Sequence, residues 1–205
     1  MPTKSHFAEA LRLSGLLRLS PAFDFLIGHE RVMPYLENFV NRAMLVNTWY
    51  INKLQGKGSV GWHSGVDAFR HFSYEKKPFT SMLNMIWALD ENNEETGCPL
   101  VLPGSHKRSF NFEGRYHLLD MPGSVPVILH PGDVLLFSEA TMHAGLPRKA
   151  PGSRKNLYIN YIDGETGVTN ADGNLHHYWV PPEARARFPE EKQSLFEWMK
   201  TSVGA

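Results

Sequence analysis

Gly132 to Arg154, GDVLLFSEATMHAGLPRKAPGSR, is the stretch on which the reading of this chain turns. The apolar run Val134–Ser138 is a strand, the turn after it leads into His143, a Pro/Gly loop follows, and Arg154 opens a second strand across Asn156–Ile162. A histidine at the end of one strand can ligate a metal, and an arginine at the start of the next can fork onto a carboxylate beside it. Together they suggest a metal with a small acidic molecule next to it. A two-histidine site needs another half, and His63 in GWHSG (61–65), eighty residues upstream, is the candidate.

The same punctuation runs through the middle of the chain. Residues 44–54, MLVNTWYINKL, alternate with period two before QGKGSVG breaks them. Residues 80–89, TSMLNMIWAL, read as a buried strand, and short strands follow at 99–102 and 125–129. Helical patterns are confined to the ends. Residues 7–19 form a rough amphipathic helix of leucines and Phe7. Residues 29–41 form a second, with Val32, Tyr35, Leu36, Phe39 and Val40 on its buried side and Pro34 in its first turn. KQSLFEWMKT (192–201) is a C-terminal helix anchored by Leu195, Phe196 and Trp198. Short strands separated by Gly/Pro turns predict an all-β core with flanking helices, a jelly roll in a single domain. Its parts are an N-terminal helical flank at 1–43, the core at 44–163, and a lid-like loop with a C-terminal helix at 164–205.

Composition limits the partners. The 205 residues carry 21 basic and 21 acidic side chains, so charge gives no case for nucleic acid or an anionic membrane. The one cysteine, Cys98, excludes an internal disulfide and fits a reducing compartment. The N-terminal residues lack the apolar core of a signal peptide and no later run approaches a membrane span, so a cytoplasmic protein acting on a small molecule is expected. Of the ten histidines, His6, His29, His117, His176 and His177 stand in polar or terminal contexts that suit surface roles, and His106 suits a loop brace. His71 and His130 are ambiguous.

WALDENNEETGCPLVLPGSHKRSF (87–110) followed by HPGDVLLFSEATMHAGLPRKAPGSRK (130–155) resembles the phytanoyl-CoA dioxygenase family of iron(II)- and 2-oxoglutarate-dependent oxygenases. The resemblance runs from about Ser20 to Ile162. It rests on the ALD, TG and LPGSHK block, the GD-apolar-F strand, His143, and the arginine eleven residues beyond it. It implies a double-stranded β-helix, also called cupin-like, and the cofactors iron(II), 2-oxoglutarate and dioxygen. His63 then matches the proximal metal ligand, His143 the distal one, and Arg154 the anchor for the far carboxylate of 2-oxoglutarate. Imidazole suits iron(II), and few protein ligands leave an open face for co-substrates. Alternation places Arg154, Asn156, Tyr158 and Asn160 on one face, which would line the interior, and Leu157, Ile159 and Tyr161 on the other. Met82, Asn84, Ile86 and Ala88 likewise share a face. Ile86 falls where some family members place an aromatic near 2-oxoglutarate, and Asn84 beside it is a candidate polar contact.

One departure from the family pattern matters. The proximal motif there is His-x-Asp, whereas this chain has His63-Ser64-Gly65. Four readings compete. In the leading one a halide, chloride or bromide, fills the position at Ser64 and Gly65, as in the halogenase branch of these enzymes; it restores the lost charge and can combine with a substrate radical. In the second, Asp67 or Glu139 supplies the missing carboxylate to a hydroxylase. In the third, water does so. In the fourth, the domain is a non-catalytic cupin-like binding module. Gly65 also has a plainer explanation, a tight turn that needs positive φ. For substrate contacts the sequence offers Trp62, Phe69 and Phe72 around the proximal histidine, and His177 in the polar segment 163–179.

Overall fold

The computed structural model describes residues 10–56, 60–65, 71–74, 77–108, 121–164 and 180–197. Two long alternating strands, β2 (Ala43–Leu54) and β11 (Ser153–Asp163), pair antiparallel along their whole length in the first sheet. β6 (Met82–Ala88) pairs with the far side of β11, and β9 (Val134–Ser138) pairs with β6. β1 (Ala10–Ser14) closes the other edge on β2, giving the order β1-β2-β11-β6-β9. The second sheet is built from short strands: β3 (Val60–His63), β10 (His143–Gly145), β7 (Pro99–Val101) and β8 (Val125–Pro126), in the order β3-β10-β7-β8. β4 (His71–Tyr74) and β5 (Lys77–Thr80) form a separate antiparallel hairpin. This is the all-β core that the turn punctuation predicts and of the type that the resemblance implies, with β1 joining its first sheet from outside 44–163.

The faces of β11 follow its alternation. Leu157, Ile159 and Tyr161 join Leu45, Leu83 and Met85 in the principal hydrophobic core, which is completed by apolar residues of the two chain ends. The opposite face is polar yet equally buried: Arg154, Asn156 and Asn160 on β11, Lys53 and Asn47 on β2, and Asn84 on β6. A polar face excluded from water must be satisfied internally or by a ligand. It is the interior wall on which the site is built.

The flanks are less helical than the sequence suggests. Residues 10–14 are a strand rather than part of a helix over 7–19, and Gly15, at φ 69°, ends it before the single turn α1 (Leu16–Leu19). The N–H groups of Gly15 and Leu16 both reach Thr48, on its carbonyl and hydroxyl at 2.9 Å each, which locks this break against β2. The second expected helix, 29–41, contracts to α2 (Met33–Leu36), with Pro34 in its first turn as expected. At the C-terminal end, α3 (Pro182–Arg185) precedes a 3-10 segment at Glu190–Phe196 in place of a long helix. The reason lies in the spacing of the anchors. Leu16–Leu17, Leu26–Ile27 and Leu195–Phe196 are adjacent buried pairs, and a long helix would place neighbours 100° apart instead of on one stripe. Among the described residues no helix is long and apolar enough to cross a membrane.

Candidate metal and 2-oxoglutarate site

β3 and β10 bring the two histidines together. His63 and His143 are direct register partners across the antiparallel pair, with ring centroids 4.2 Å apart and planes tilted by 51°. Each ring is oriented by the same device. Nδ1 of His63 lies 2.8 Å from the carbonyl oxygen of Gly61, and Nδ1 of His143 lies 2.9 Å from that of Thr141. A carbonyl can only accept, so Nδ1 carries a proton in both rings and Nε2 is the nitrogen left for a metal. Burial also lowers the His143 pKa to about 4, so its imidazole is neutral at physiological pH. Phe137 packs edge-on against that ring at 4.8 Å.

Next to the pair stands Glu139. Its side chain is buried, with Oε2 4.0 Å from Nε2 of His143. Asn160 donates from Nδ2 to Oε1 at 3.2 Å, and its register partner Asn84 donates to the same carboxylate. Desolvation raises the Glu139 pKa, while the nearby His63 and these donors oppose the rise. The backbone N–H of Gly65 donates to the Glu139 carbonyl at 2.9 Å. A Cβ placed on Gly65 would overlap Oε2 of Glu139 and come within 2.9 Å of its Cδ. The space left by the missing side chain is therefore filled by a carboxylate from elsewhere in the chain. Gly65 is not among the glycines with positive φ, so the turn explanation for it fails. Ser64 is engaged as well: Nη2 of Arg108 donates to its hydroxyl at 2.9 Å, and Nη1 reaches the carbonyls of Ala140 (2.6 Å) and Ser105 (3.0 Å). One guanidinium thus ties the segment after His63 to the segment after Glu139.

Arg154, 1% exposed, lies at the other end of the polar wall. Nη2 donates to the Gly97 carbonyl at 2.9 Å, Nη1 faces the amide oxygen of Asn156 when that amide is turned toward it, and Nε is buried without a partner. Lys53 is its register partner on β2 and is also buried.

The remaining candidates divide. Asn84 contacts Glu139, while Ile86 is buried opposite Tyr158 on the same wall. Trp62 does not join the site: it is fully buried on the reverse face of the second sheet with Leu100, Met142 and Ala144, because successive residues of a strand point to opposite sides. Phe72 lies on β4 with its side chain outside the description, and Asp67, Phe69 and His177 lie outside the described residues. His130 pairs with Glu91 at the surface, and His29 accepts from the Arg31 N–H. Sequence reading missed Lys53 and Arg108. The signal for Lys53 was available, since it continues the Asn47-Trp49-Ile51 face of a strand whose partner face carries Arg154.

The donor set fits a first-row metal with open positions. Two imidazoles whose Nδ1 atoms are turned onto backbone carbonyls stand side by side, and a carboxylate stands within reach. Two donors at about 2.0–2.2 Å from one ion can lie up to about 4 Å apart, which matches the separation of Glu139 and His143. Among the described residues no group of three His, Cys, Asp or Glu is already gathered to hold an ion, so Glu139 would have to turn toward the pair.

Comparison with known proteins gives the family and the fold. The family model described as Phytanoyl-CoA dioxygenase (PhyH) matches residues 5–156. A dioxygenase, lolE1, from Epichloe uncinata is 29% identical over 153 residues, which is 69% of this chain and 55% of that protein. The peroxisomal phytanoyl-CoA dioxygenase of Bos taurus is 22% identical over 157 residues, 69% of this chain and 46% of that protein. The chain thus spans about half the length of these curated relatives. In fold it is similar to HygX from Streptomyces hygroscopicus with nickel, 2-oxoglutarate and hygromycin B bound, at a TM-score of 0.68 and 20% identity over 79% of this chain and 73% of that one. The epimerase SnoN from nogalamycin biosynthesis, in complex with Fe3+, alpha ketoglutarate and nogalamycin RO, gives 0.60 and 21% over 75% and 63%. From residue 5 to residue 156, across both histidines and Arg154, this chain belongs to the phytanoyl-CoA dioxygenase (PhyH) family.

Proposed function

We propose that the chain uses iron(II), 2-oxoglutarate and dioxygen to oxidise an unactivated C–H bond of a small molecule, and that it delivers oxygen rather than a halogen. His63 and His143 would hold the metal through Nε2, and Arg154 would hold the far carboxylate of 2-oxoglutarate. When bound, the iron with 2-oxoglutarate supplies an oxidant strong enough to remove hydrogen from carbon. The overall change balances as R–H, dioxygen and 2-oxoglutarate giving R–OH, succinate and carbon dioxide. The Gly61 and Thr141 carbonyls hold the two rings in the required tautomer, and the buried wall keeps bulk water from the reacting centre. The relatives solved with hygromycin B and nogalamycin RO support a discrete small molecule as substrate.

The observation that carries the choice between outcomes is the Glu139 carboxylate in the space beside Gly65. Halide ligation needs both a missing negative charge and a hole at the metal. Here a carboxylate of the chain itself fills the hole and can restore the charge, which favours the two-histidine, one-carboxylate arrangement of a hydroxylase. Asp67 is the competing source of that carboxylate.

The test is an anaerobic titration with iron(II) and 2-oxoglutarate, following the visible charge-transfer band with and without chloride. A band indifferent to chloride is expected. A band that shifts with chloride would return the assignment to halogenation, and no band at all would leave a binding module. His143→Ala should abolish the band together with iron-dependent consumption of 2-oxoglutarate.

A further inference from the structure

The side chains of Lys53 and Arg154 are buried side by side on the polar wall, and among the described residues no carboxylate pairs with either. Lys53 is 3% exposed and Arg154 1%, and the β2–β11 register sets them directly opposite one another, on the same face of the sheet. They converge on one acceptor: Nζ of Lys53 lies 3.1 Å from the Gly97 carbonyl oxygen, and Nη2 of Arg154 lies 2.9 Å from it. Nζ also donates to the Leu146 carbonyl at 2.6 Å. Among the described residues neither side chain forms an ion pair, and Arg154 Nε is buried without a partner. Carbonyl dipoles satisfy hydrogen bonds but do not supply a counter-charge, so without an anion beside them the charged forms of two buried cationic groups are strongly disfavoured. The arrangement is that of a site awaiting an anion.

Its position selects which anion. Leu146 is three residues beyond His143, about 10 Å along extended chain, and Gly145 between them lets Nζ approach to 3.3 Å of where its Cβ would be. Lys53 therefore touches the chain within three residues of His143, on the segment that leads from that histidine toward Arg154.

We propose that Lys53 is a second anchor for the far carboxylate of 2-oxoglutarate, acting with Arg154, so that this end of the co-substrate is read by two cations rather than one. The inference rests on the proposed use of 2-oxoglutarate and extends it to a residue outside the matched motif. Burial and the adjacent guanidinium hold the Lys53 ammonium well below the usual lysine range, with the Cys98 thiol the opposing influence. An arriving carboxylate would reverse that by pairing with the charged form.

The experiment is equilibrium binding to the full chain loaded anaerobically with iron(II), measured by calorimetry, so that turnover is not the readout. The probes are 2-oxoglutarate and 2-oxopentanoate, which has the same chain length but lacks the far carboxylate. Lys53→Met should weaken 2-oxoglutarate binding at least tenfold and leave 2-oxopentanoate within twofold, because only the former loses a charge-assisted contact. Should Lys53→Met fail to fold, Lys53→Gln, which keeps a donor for the Leu146 carbonyl without the charge, carries the same expectation. Unchanged 2-oxoglutarate affinity in the variant, or an equal loss for both probes, overturns the role of Lys53 while leaving the co-substrate reading intact. Failure of the wild-type chain to bind 2-oxoglutarate overturns both.

Discussion

Gly65 and Glu139 are fitted to one another: the Gly65 N–H donates to the Glu139 carbonyl at 2.9 Å, and the Glu139 side chain fills the volume that any side chain at position 65 would need. The glycine is required by its neighbour and not by its own backbone. This reverses the meaning of the missing aspartate. On the proposed reading, the carboxylate missing from His63-Ser64-Gly65 comes from the strand-end segment that precedes His143, where Asn84 and Asn160 contact Glu139.

The fit predicts non-additivity. Gly65→Ala alone should destabilise the chain by about 1–3 kcal/mol, the usual cost of forcing extra volume into a packed site. Glu139→Ala in the same chain should relieve most of that cost, so a double-mutant cycle by urea unfolding should give a coupling of at least about 0.5 kcal/mol. Additive effects of the two substitutions would mean that they do not share the space.

Removing the Glu139 carboxylate should open the space beside Gly65 that it fills in the wild-type chain. Glu139→Ala is expected to weaken iron(II) binding and to make the charge-transfer band respond to chloride, while Asp67→Ala leaves the band unchanged. The reverse pattern, with Asp67→Ala sensitive to chloride and Glu139→Ala not, would transfer the ligand role to Asp67.

Period-two alternation made the wall readable in advance. The faces of 153–163 and 82–88 follow from the pleat alone, and the pairing of β3 with β10 sets His63 opposite His143. Glu139 could be named as a possible ligand but not placed, because its relation to Gly65 is a contact between segments more than seventy residues apart. Lys53 carried no motif; alternation gave its face on 44–54, and the pairing of β2 with β11 sets it opposite Arg154. The flanks misled for a different reason: Leu11, Leu13, Leu16 and Leu17 fit a helix loosely, but Gly15 divides them between an edge strand and a single turn.

Tyr161 should be worth about 1–2 kcal/mol through one contact. Its hydroxyl oxygen accepts from the Gly28 N–H at 3.0 Å, in the core and beside a residue held at φ 59°. Tyr161→Phe leaves that N–H unsatisfied, which thermal unfolding should register as a lower Tm. Burial also pushes the phenol up to about 12 from an ordinary 10.0, so the fold favours the protonated form. That contribution is complete below pH 10 and is lost as pH rises toward 12. The phenylalanine variant should show a shallower loss of stability across that window, and an unchanged alkaline profile would contradict the assignment.

Lys53 sets a slope of opposite sign. Its folded pKa lies well below the ordinary 10.5, so between those two values the unfolded chain binds more protons than the folded one, and stability should rise with pH. In full, the contribution is present above 10.5 and is lost as pH falls through the lowered folded value. Free of 2-oxoglutarate, the wild-type chain should therefore gain stability as pH rises from the lowered folded value toward 10.5, largely below the range in which Tyr161 acts. Lys53→Met should flatten this rise, since it removes the titrating group while keeping the aliphatic stem. Saturating 2-oxoglutarate should flatten it too, because a carboxylate beside the ammonium brings its folded pKa back toward the unfolded one. A slope removed by the substitution but untouched by 2-oxoglutarate would locate Lys53 correctly and yet separate it from the co-substrate, which is the distinction that binding affinities alone would leave to inference.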